Sequence, residues 1–397
     1  MRIALVCPAS LPATQFGGIL FLAVDIASEL SREGHSVTIY TTDLDFANNP
    51  KFFNKKLPRI QKINNFLIKR SHVWFSYKLF FVNPSIFFQL IKDKPEIIHT
   101  IGVRSFQSIA AALASKKLTV PLIISDQGGL TTHPDLKESS NLTKFSYMLQ
   151  KPVINFIIKQ STKISVANEY EKEIFNQFNA KNKTVIVRNG INLEQFNIIE
   201  NKFREKYDFQ DKFILFVGRF HKVKGIDILL RSIELIKNEL NQKNIKLVIM
   251  GVDFGFESKM FEMINNLKIN NIVKVIKKPP RDDVLCAYQK SEFLVLPSRW
   301  ELSPLTPLEG FAFRKTVIST NVHGIPSTID NEKNGILIDY EDYEQLSKKI
   351  LELLENTDKR EKLSNEGYKL VNDACNSKMM ATQTLKIYQD VLNQQVE

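Results

Sequence analysis

Only three cysteines occur in the 397 residues, Cys7, Cys286 and Cys375, and they stand far apart with no metal-ligand spacing among them. They read as reduced thiols, which places the chain in a reducing compartment. No run of the sequence approaches the roughly 18 uninterrupted apolar residues that a membrane span requires. The opening MRIALVCPAS has one arginine and then five apolar or small residues before Pro8, too short for a signal-peptide core and better suited to a first strand. The protein is therefore expected in the cytoplasm, or peripherally on the cytoplasmic face of a membrane. There is neither an internal repeat nor a low-complexity tract, so the chain must be accounted for as compact domains.

Acidic residues are scarce in one place. Between Lys51 and Lys94 the sequence holds ten basic residues, namely Lys51, Lys55, Lys56, Arg59, Lys62, Lys69, Arg70, Lys78, Lys92 and Lys94, against one acid, Asp93. Ten aromatics are interleaved with them, among them Phe66, Trp74, Phe75, Phe80, Phe81, Phe87 and Phe88. Cations meet anionic headgroups and rings settle at a membrane interface, so residues 51–94 are a candidate contact for an anionic membrane surface. The other reading buries the rings under the domain and leaves the lysines solvated. No recognisable nucleic-acid-binding module accompanies the positive charge, and nucleic acid is not expected as a partner.

What is present in quantity is apolar sequence, 43% against 24% charged, the balance of a soluble globular chain long enough for two domains with a core each. Strands and helices alternate as in a parallel sheet with crossover helices. IALVCP opens the chain, and Gly17-Gly18 precede an amphipathic helix from about Ile19 to Glu33 that Gly34 ends, after which SVTIYT follows. EIIHT, VPLIIS and TVIVRNGIN continue the first domain, with the boundary in the polar stretch from about Glu194 to Lys212. FILFVGRFHKVKGIDILL opens the second domain. There an apolar strand ends at Gly218, and Arg219 and Lys224 flank a turn that closes at Gly225. Two fixed cations beside a helix start can neutralise a diphosphate.

The densest stretch is LPSRWELSPLTPLEG, Leu296–Gly310. A short buried strand, FLVLP, precedes it. Thr306-Pro307-Leu308-Glu309 reads as a helix start with Thr306 as the N-cap, proline first in the helix and Glu309 three residues past the cap. A helix N-terminus beside strand ends offers unpaired N–H groups to an anion. On residues alone, Glu309 is equally a capping-box carboxylate and Glu301 a solvated loop acid.

These motifs together resemble the family 4 glycosyltransferases, a retaining family with the two-Rossmann GT-B fold. The resemblance rests on FGGILFLAVDIASELSREGHSVTIYT, on the Gly-Arg and Lys-Gly pairs around residues 218–225, and on the two glutamates, Glu301 and Glu309, and it spans nearly the whole chain. It implies an α/β fold of two doubly wound parallel-sheet domains facing each other across a cleft. Residues 1–195 would form the acceptor-binding domain, 196–375 the nucleotide-sugar domain, and 376–397 a helix crossing back onto the first.

By the same resemblance Arg219 and Lys224 meet the diphosphate with the amides of Leu305 and Thr306, while Pro304 and Pro307 have no N–H to give. Glu309 takes the ribose hydroxyls, Glu301 a hydroxyl of the transferred sugar, and Gly17, Gly18, Gly218 and Ser303 complete the donor-binding set. No metal and no cofactor are expected beyond the nucleotide-diphosphate sugar, UDP- or GDP-linked. The acceptor would be a glycan or a lipid-linked molecule of cell-surface polysaccharide or glycolipid synthesis.

The sequence departs from the family pattern in two places. Asp126 and Gln127 stand where many members have a histidine, the nearest histidine here being His133, so Asp126 or His133 is the candidate for that role. Lys277-Lys278-Pro279-Pro280 replaces a glycine turn near which the base is held, which leaves the base unread. Asp43-Leu44-Asp45 has the spacing of the metal-holding triplet of other glycosyltransferases, but it ends the second strand in the wrong domain and reads as a turn. Two rival functions fit the same architecture, a sugar-nucleotide epimerase and a non-catalytic transferase-like binding subunit.

Overall fold

A computed structural model describes residues 1–45, 53–77, 79–128, 130, 141–197 and 203–394. The chain forms two compact units, Met1–Ile191 together with Asn376–Glu397, and Asn192–Cys375. Among the described residues no helix is long and apolar enough to cross a membrane.

The first unit is built on β1 (Arg2–Val6), β2 (Ser36–Thr42), β3 (Ile60–Ile63), β4 (Phe66–Ser71), β5 (Phe75–Tyr77), β6 (Phe80–Val82), β7 (Ile97–Ile101), β8 (Leu122–Ser125), β9 (Lys163–Val166) and β10 (Thr184–Ile186). Eight of them form one sheet in the order β10-β9-β8-β7-β1-β2-β4-β3, and β5 and β6 form a separate hairpin. All pairings in the large sheet are parallel except that of β3 with β4. The central strands β7 and β8 are buried at every residue, as parallel strands covered on both faces are.

Parallel pairing gathers the carboxyl ends of β1, β2, β4, β7 and β8 at one edge, where an open α/β sheet binds its ligands. The strand order reverses beside β1, and the loop leaving β1 runs to Gly17. That residue adopts φ +102°, a conformation favouring glycine, and opens the helix Gly18–Arg32. The helix Ser377–Asn393 packs on this helix, with Ser377 Oγ donating to Glu29 Oε1 at 2.8 Å. Its arrival explains the Asn-Gly turn at 189–190, because a Cβ on Gly190 would lie 2.2 Å from the carbonyl oxygen of Asn376.

The second unit holds β11 (Lys212–Val217), β12 (Ile245–Gly251), β13 (Val273–Lys277), β14 (Leu294–Leu296), β15 (Val317–Thr320) and β16 (Ile336–Ile338), all parallel, in the order β13-β12-β11-β14-β15-β16. This is the doubly wound nucleotide-binding order, with its reversal between β11 and β14. The Gly218–Gly225 turn leaves β11 and the Pro297–Pro304 turn leaves β14, so both motifs stand at the reversal itself.

The segment 51–94 is more structured than its composition implied. It supplies β3, β4, the β5–β6 hairpin and the helix Ser85–Asp93. Arg70 is no surface cation: it is 1% exposed, donating to the carbonyls of Pro58 and Leu11 and to Gln61 Oε1. Lys69 pairs with Asp93 at 2.5 Å. Lys51, Lys78 and His133 lie outside the described residues.

Candidate active site

The second unit brings its candidate residues together through contacts between two turns. After β11, Gly218 N–H donates to Met250 O at 3.0 Å, and a Cβ on Gly251 would sit 1.8 Å from Gly218 O, so residue 251 has no room for a side chain. Arg219 places its guanidinium 5.0 Å from the Phe254 ring centre, a cation–π contact that orients a surface cation. Lys222–Lys224 form one 3-10 turn, capped by His221 Nδ1 accepting from Val223 N–H at 3.2 Å. Gly225 follows at φ +66°, where a Cβ would fall 1.9 Å from the carbonyl oxygen of Pro297. The turns after β11 and β14 therefore touch backbone to backbone, and only glycine permits it.

Arg299 fastens the same two turns. It grips Asp227 with both forks at 2.7 and 2.8 Å, Lys222 O at 2.7 Å and Glu341 at 2.6 Å. This bidentate fork was missed in the sequence, where Arg299 carries no signal beyond its place inside the motif.

Lys224 Nζ forms an ion pair with Glu301 Oε1, and Ser298 Oγ donates to the same oxygen at 3.1 Å. Both side chains are mostly buried, at 18% and 15% exposure. The lysine keeps two further N–H donors for an anion, and Glu301 keeps the acceptor capacity of Oε2.

The helix after β14 begins earlier than the sequence reading had it. It spans Leu305–Ala312 with Pro304, in extended conformation, as the N-cap, so Thr306 is the second helical residue and Pro307 the third. Either proline suits a helix start because the first N–H groups of a helix have no internal partner. The shift leaves Leu305 and Thr306 as the N–H-bearing residues of the first turn, with Ser303 half-buried just ahead of them. It also removes Glu309 from any capping box. Glu309 lies one turn in, 7% exposed, accepting from Arg281 Nη2 at 2.6 Å on one oxygen and from Tyr288 OH at 2.7 Å on the other. Its partners come from the helix Arg281–Lys290, which begins directly after the Lys277–Pro280 turn.

Gly17, Gly18 and Asp126 belong to the first unit. Asp126 directly follows β8 at 2% exposure, and its Oδ2 accepts from Leu130 N–H at 2.9 Å, so the side chain shapes its own loop. Glu171, which sequence reasoning passed over, is buried beside it and accepts from Ala167 N–H at 2.6 Å and Gln127 N–H at 3.3 Å. Burial first, and the charge of Asp126 second, push the Glu171 carboxyl up to about 8 from its ordinary 4.5. Gln127 and Asn189 exchange amide hydrogen bonds at 3.0 Å. His99 lies 2.6 Å from Tyr388 OH and 2.8 Å from Ser125 Oγ, and burial lowers its pKa to about 3.

Two opposed pH dependences follow. The proton that Glu171 holds more tightly when folded stabilises the unit below pH 4.5, and that contribution is lost as the pH rises to about 8. His99 must stay neutral, so its contribution is present above 6.5 and lost as the pH falls toward about 3. The two slopes oppose each other between 4.5 and 6.5, and Glu171 acts alone from there to about 8. The melting temperature of wild type is expected to fall more steeply than that of Glu171→Gln between pH 6.5 and 8, as paired thermal melts would show. Equal slopes would mean that Glu171 is ionised in the fold.

Residues 16–195 match the family described as Glycosyltransferase Family 4, and residues 197–370 match Glycosyl transferases group 1. A glycosyltransferase of Methanocaldococcus jannaschii is 31% identical over 268 residues, 66% of each chain. The capsular polysaccharide biosynthesis glycosyltransferase CapM of Staphylococcus aureus is 26% identical over 239 residues, 58% of this chain and 62% of that one. The matches thus span about two thirds of those relatives or slightly less. Among solved structures, sucrose-phosphate synthase from Thermosynechococcus elongatus superposes with a TM-score of 0.76 at 16% identity, covering 99% of this chain and all of that one. Anabaena HepE in complex with UDP-glucose gives 0.74 at 14% identity, covering 98% of this chain and 100% of that one. The fold is GT-B.

Proposed function

The chain belongs to the group 1, family 4 glycosyltransferases, and we propose that it is a retaining, metal-independent enzyme moving a sugar from a nucleotide-diphosphate sugar to a glycan or lipid-linked acceptor. The observation that carries this reading is the Lys224–Glu301 pair at the strand-order reversal, one helix start away from the buried Glu309. A departing nucleoside diphosphate gains negative charge as the glycosidic bond breaks, and fixed cations and N–H groups lower that barrier most when they are in place beforehand. Arg219, Lys224 and the amides of Leu305 and Thr306 supply them. Glu301, freed from Lys224 as the lysine turns to the phosphates, accepts a sugar hydroxyl, and Glu309 accepts the ribose hydroxyls. Retention follows if the acceptor attacks from the face the phosphate leaves, with that phosphate taking the acceptor's proton. CapM works in capsular polysaccharide biosynthesis by its name, and HepE has been captured with UDP-glucose. These support a polysaccharide context and a UDP-linked donor.

A panel of UDP- and GDP-sugars tested by thermal shift should single out one donor, since a ligand present at about 100 times its Kd stabilises by about 2.7 kcal/mol. The stabilising sugar should then be released or transferred with its anomeric configuration kept. If no donor shifts the melt and none is turned over, the transferase reading fails; an isomerised donor without transfer would favour the epimerase.

A further inference from the structure

We propose that the β5–β6 hairpin of the first unit docks on an anionic lipid bilayer, with Trp74, Phe75, Tyr77 and Leu79 entering the interface and Lys55, Lys56 and Arg59 meeting the headgroups. The inference rests on the lipid-linked branch of the proposed acceptor and names the surface that would present it. Trp74 is 71% exposed, Phe75 61%, Tyr77 60% and Leu79 52%, four large apolar side chains within six residues at one hairpin. Such clustering on a soluble unit marks an interaction surface, and Trp and Tyr in particular suit the headgroup level of a membrane.

β5 is exposed at every residue, and the hairpin is anchored through β6. Ser76 faces Phe81 across the hairpin, and Phe81 is 1% exposed, packed with Val73, Leu44 and Leu20 and set against Phe16 and Phe53 at centroid distances of 6.3 and 5.3 Å. Alternation along a strand then sends Phe75 and Tyr77 to the opposite face. Gln107 Nε2 anchors the hairpin further by donating to Phe81 O at 2.8 Å. Phe16 immediately precedes Gly17, so the hairpin's inner face is packed on the loop that opens the helix Gly18–Arg32.

Charge is gathered at the same place by Asp43. Read from the sequence as part of a turn, Asp43 is fully buried and acts as a hub. Its carboxylate accepts from Val73 N–H at 3.1 Å and lies 2.6 Å from His72 Nδ1, at the root of the hairpin. It also pairs with Arg59 at 3.5 Å, while its carbonyl accepts from Asn54 N–H at 2.8 Å. The basic loop 54–59 and the aromatic hairpin are thus fastened to one residue at the carboxyl end of β2. Lys55, Lys56 and Arg59 are exposed, whereas the one acid of the segment, Asp93, is taken up by Lys69 and Tyr40. Exposed cations beside an aromatic tip, with no exposed acid among the described residues of the segment, match an anionic bilayer better than a neutral one.

The test uses the full chain with phosphatidylcholine vesicles, with and without phosphatidylglycerol, at low salt. The protein should float with the anionic vesicles only. The chain has two tryptophans, and Trp300 is buried, so a blue shift of emission on binding reports Trp74. Trp74→Ala combined with Tyr77→Ala, and separately Lys55→Glu with Lys56→Glu, should each weaken partitioning about tenfold or more. Donor-induced thermal shift should be unaltered in both variants. Wild type left unbound by anionic vesicles while a donor still stabilises it would overturn the docking proposal and leave the transferase reading standing. Equal partitioning of the variants would also overturn it, as would concentration-dependent self-association abolished by the ring substitutions.

Discussion

Replacing Lys224 with alanine is expected to lower sugar transfer by about two to three orders of magnitude, the usual cost of removing one preplaced donor to a developing anion. The lysine stands on a one-turn 3-10 helix closed by His221 and Gly225, so its ammonium is aimed by backbone that its own side chain does little to hold. What it touches is Glu301, and the substitution leaves that carboxylate with Ser298 as its remaining hydrogen-bond partner. The pair keeps some exposure on both sides, so the stability loss should be small beside the loss of rate. Lys224→Arg separates charge from shape: it keeps the cation but brings a planar fork into a place built for a compact ammonium, and should recover only part of the activity. Single-turnover rates with saturating donor are the measurement. A folded alanine variant that transfers sugar at the wild-type rate would remove the diphosphate from this turn.

The motifs that could be read in advance are those whose cause is local. Unbroken apolar runs gave the central strands to within two residues or so, and the Gly-Arg and Lys-Gly pairs marked the turn after β11. Gly225 shows why such a mark is dependable, because its own φ of +66° favours glycine. What could not be read depends on distant residues. Arg281 and Tyr288 reach Glu309 from 28 and 21 residues upstream, and nothing in the spacing of LTPLEG points to them. Asp43 has the same character, since its partners lie on the basic loop and at the hairpin root. The helix start was misjudged because two prolines, Pro304 and Pro307, are each compatible with a first turn, and the choice falls to the chain's exit from β14. Arg70 misled through composition alone: a guanidinium counted toward surface charge is spent on carbonyls inside the unit.

Glu309 joins the structural and the catalytic arguments, and its two substitutions should separate them. Alanine there strips the acceptor from both Arg281 and Tyr288, the latter fully buried. Breaking a largely buried, hydrogen-bonded charge pair costs about 3 kcal/mol, at the low end of its range here because Arg281 retains 26% exposure. For a unit of this size that corresponds to a melting temperature lower by roughly 6–12 °C. Glutamine keeps the shape and one carbonyl acceptor while turning the other position into a donor, so it should retain about half of the lost stability but offer the ribose a weaker, neutral acceptor. Donor affinity in Glu309→Gln is therefore expected to fall about tenfold, read by titration at a temperature where both proteins are folded. Undiminished affinity in that variant would confine Glu309 to holding Arg281 and Tyr288. The ribose would then have to be held by another group at the reversal between β11 and β14.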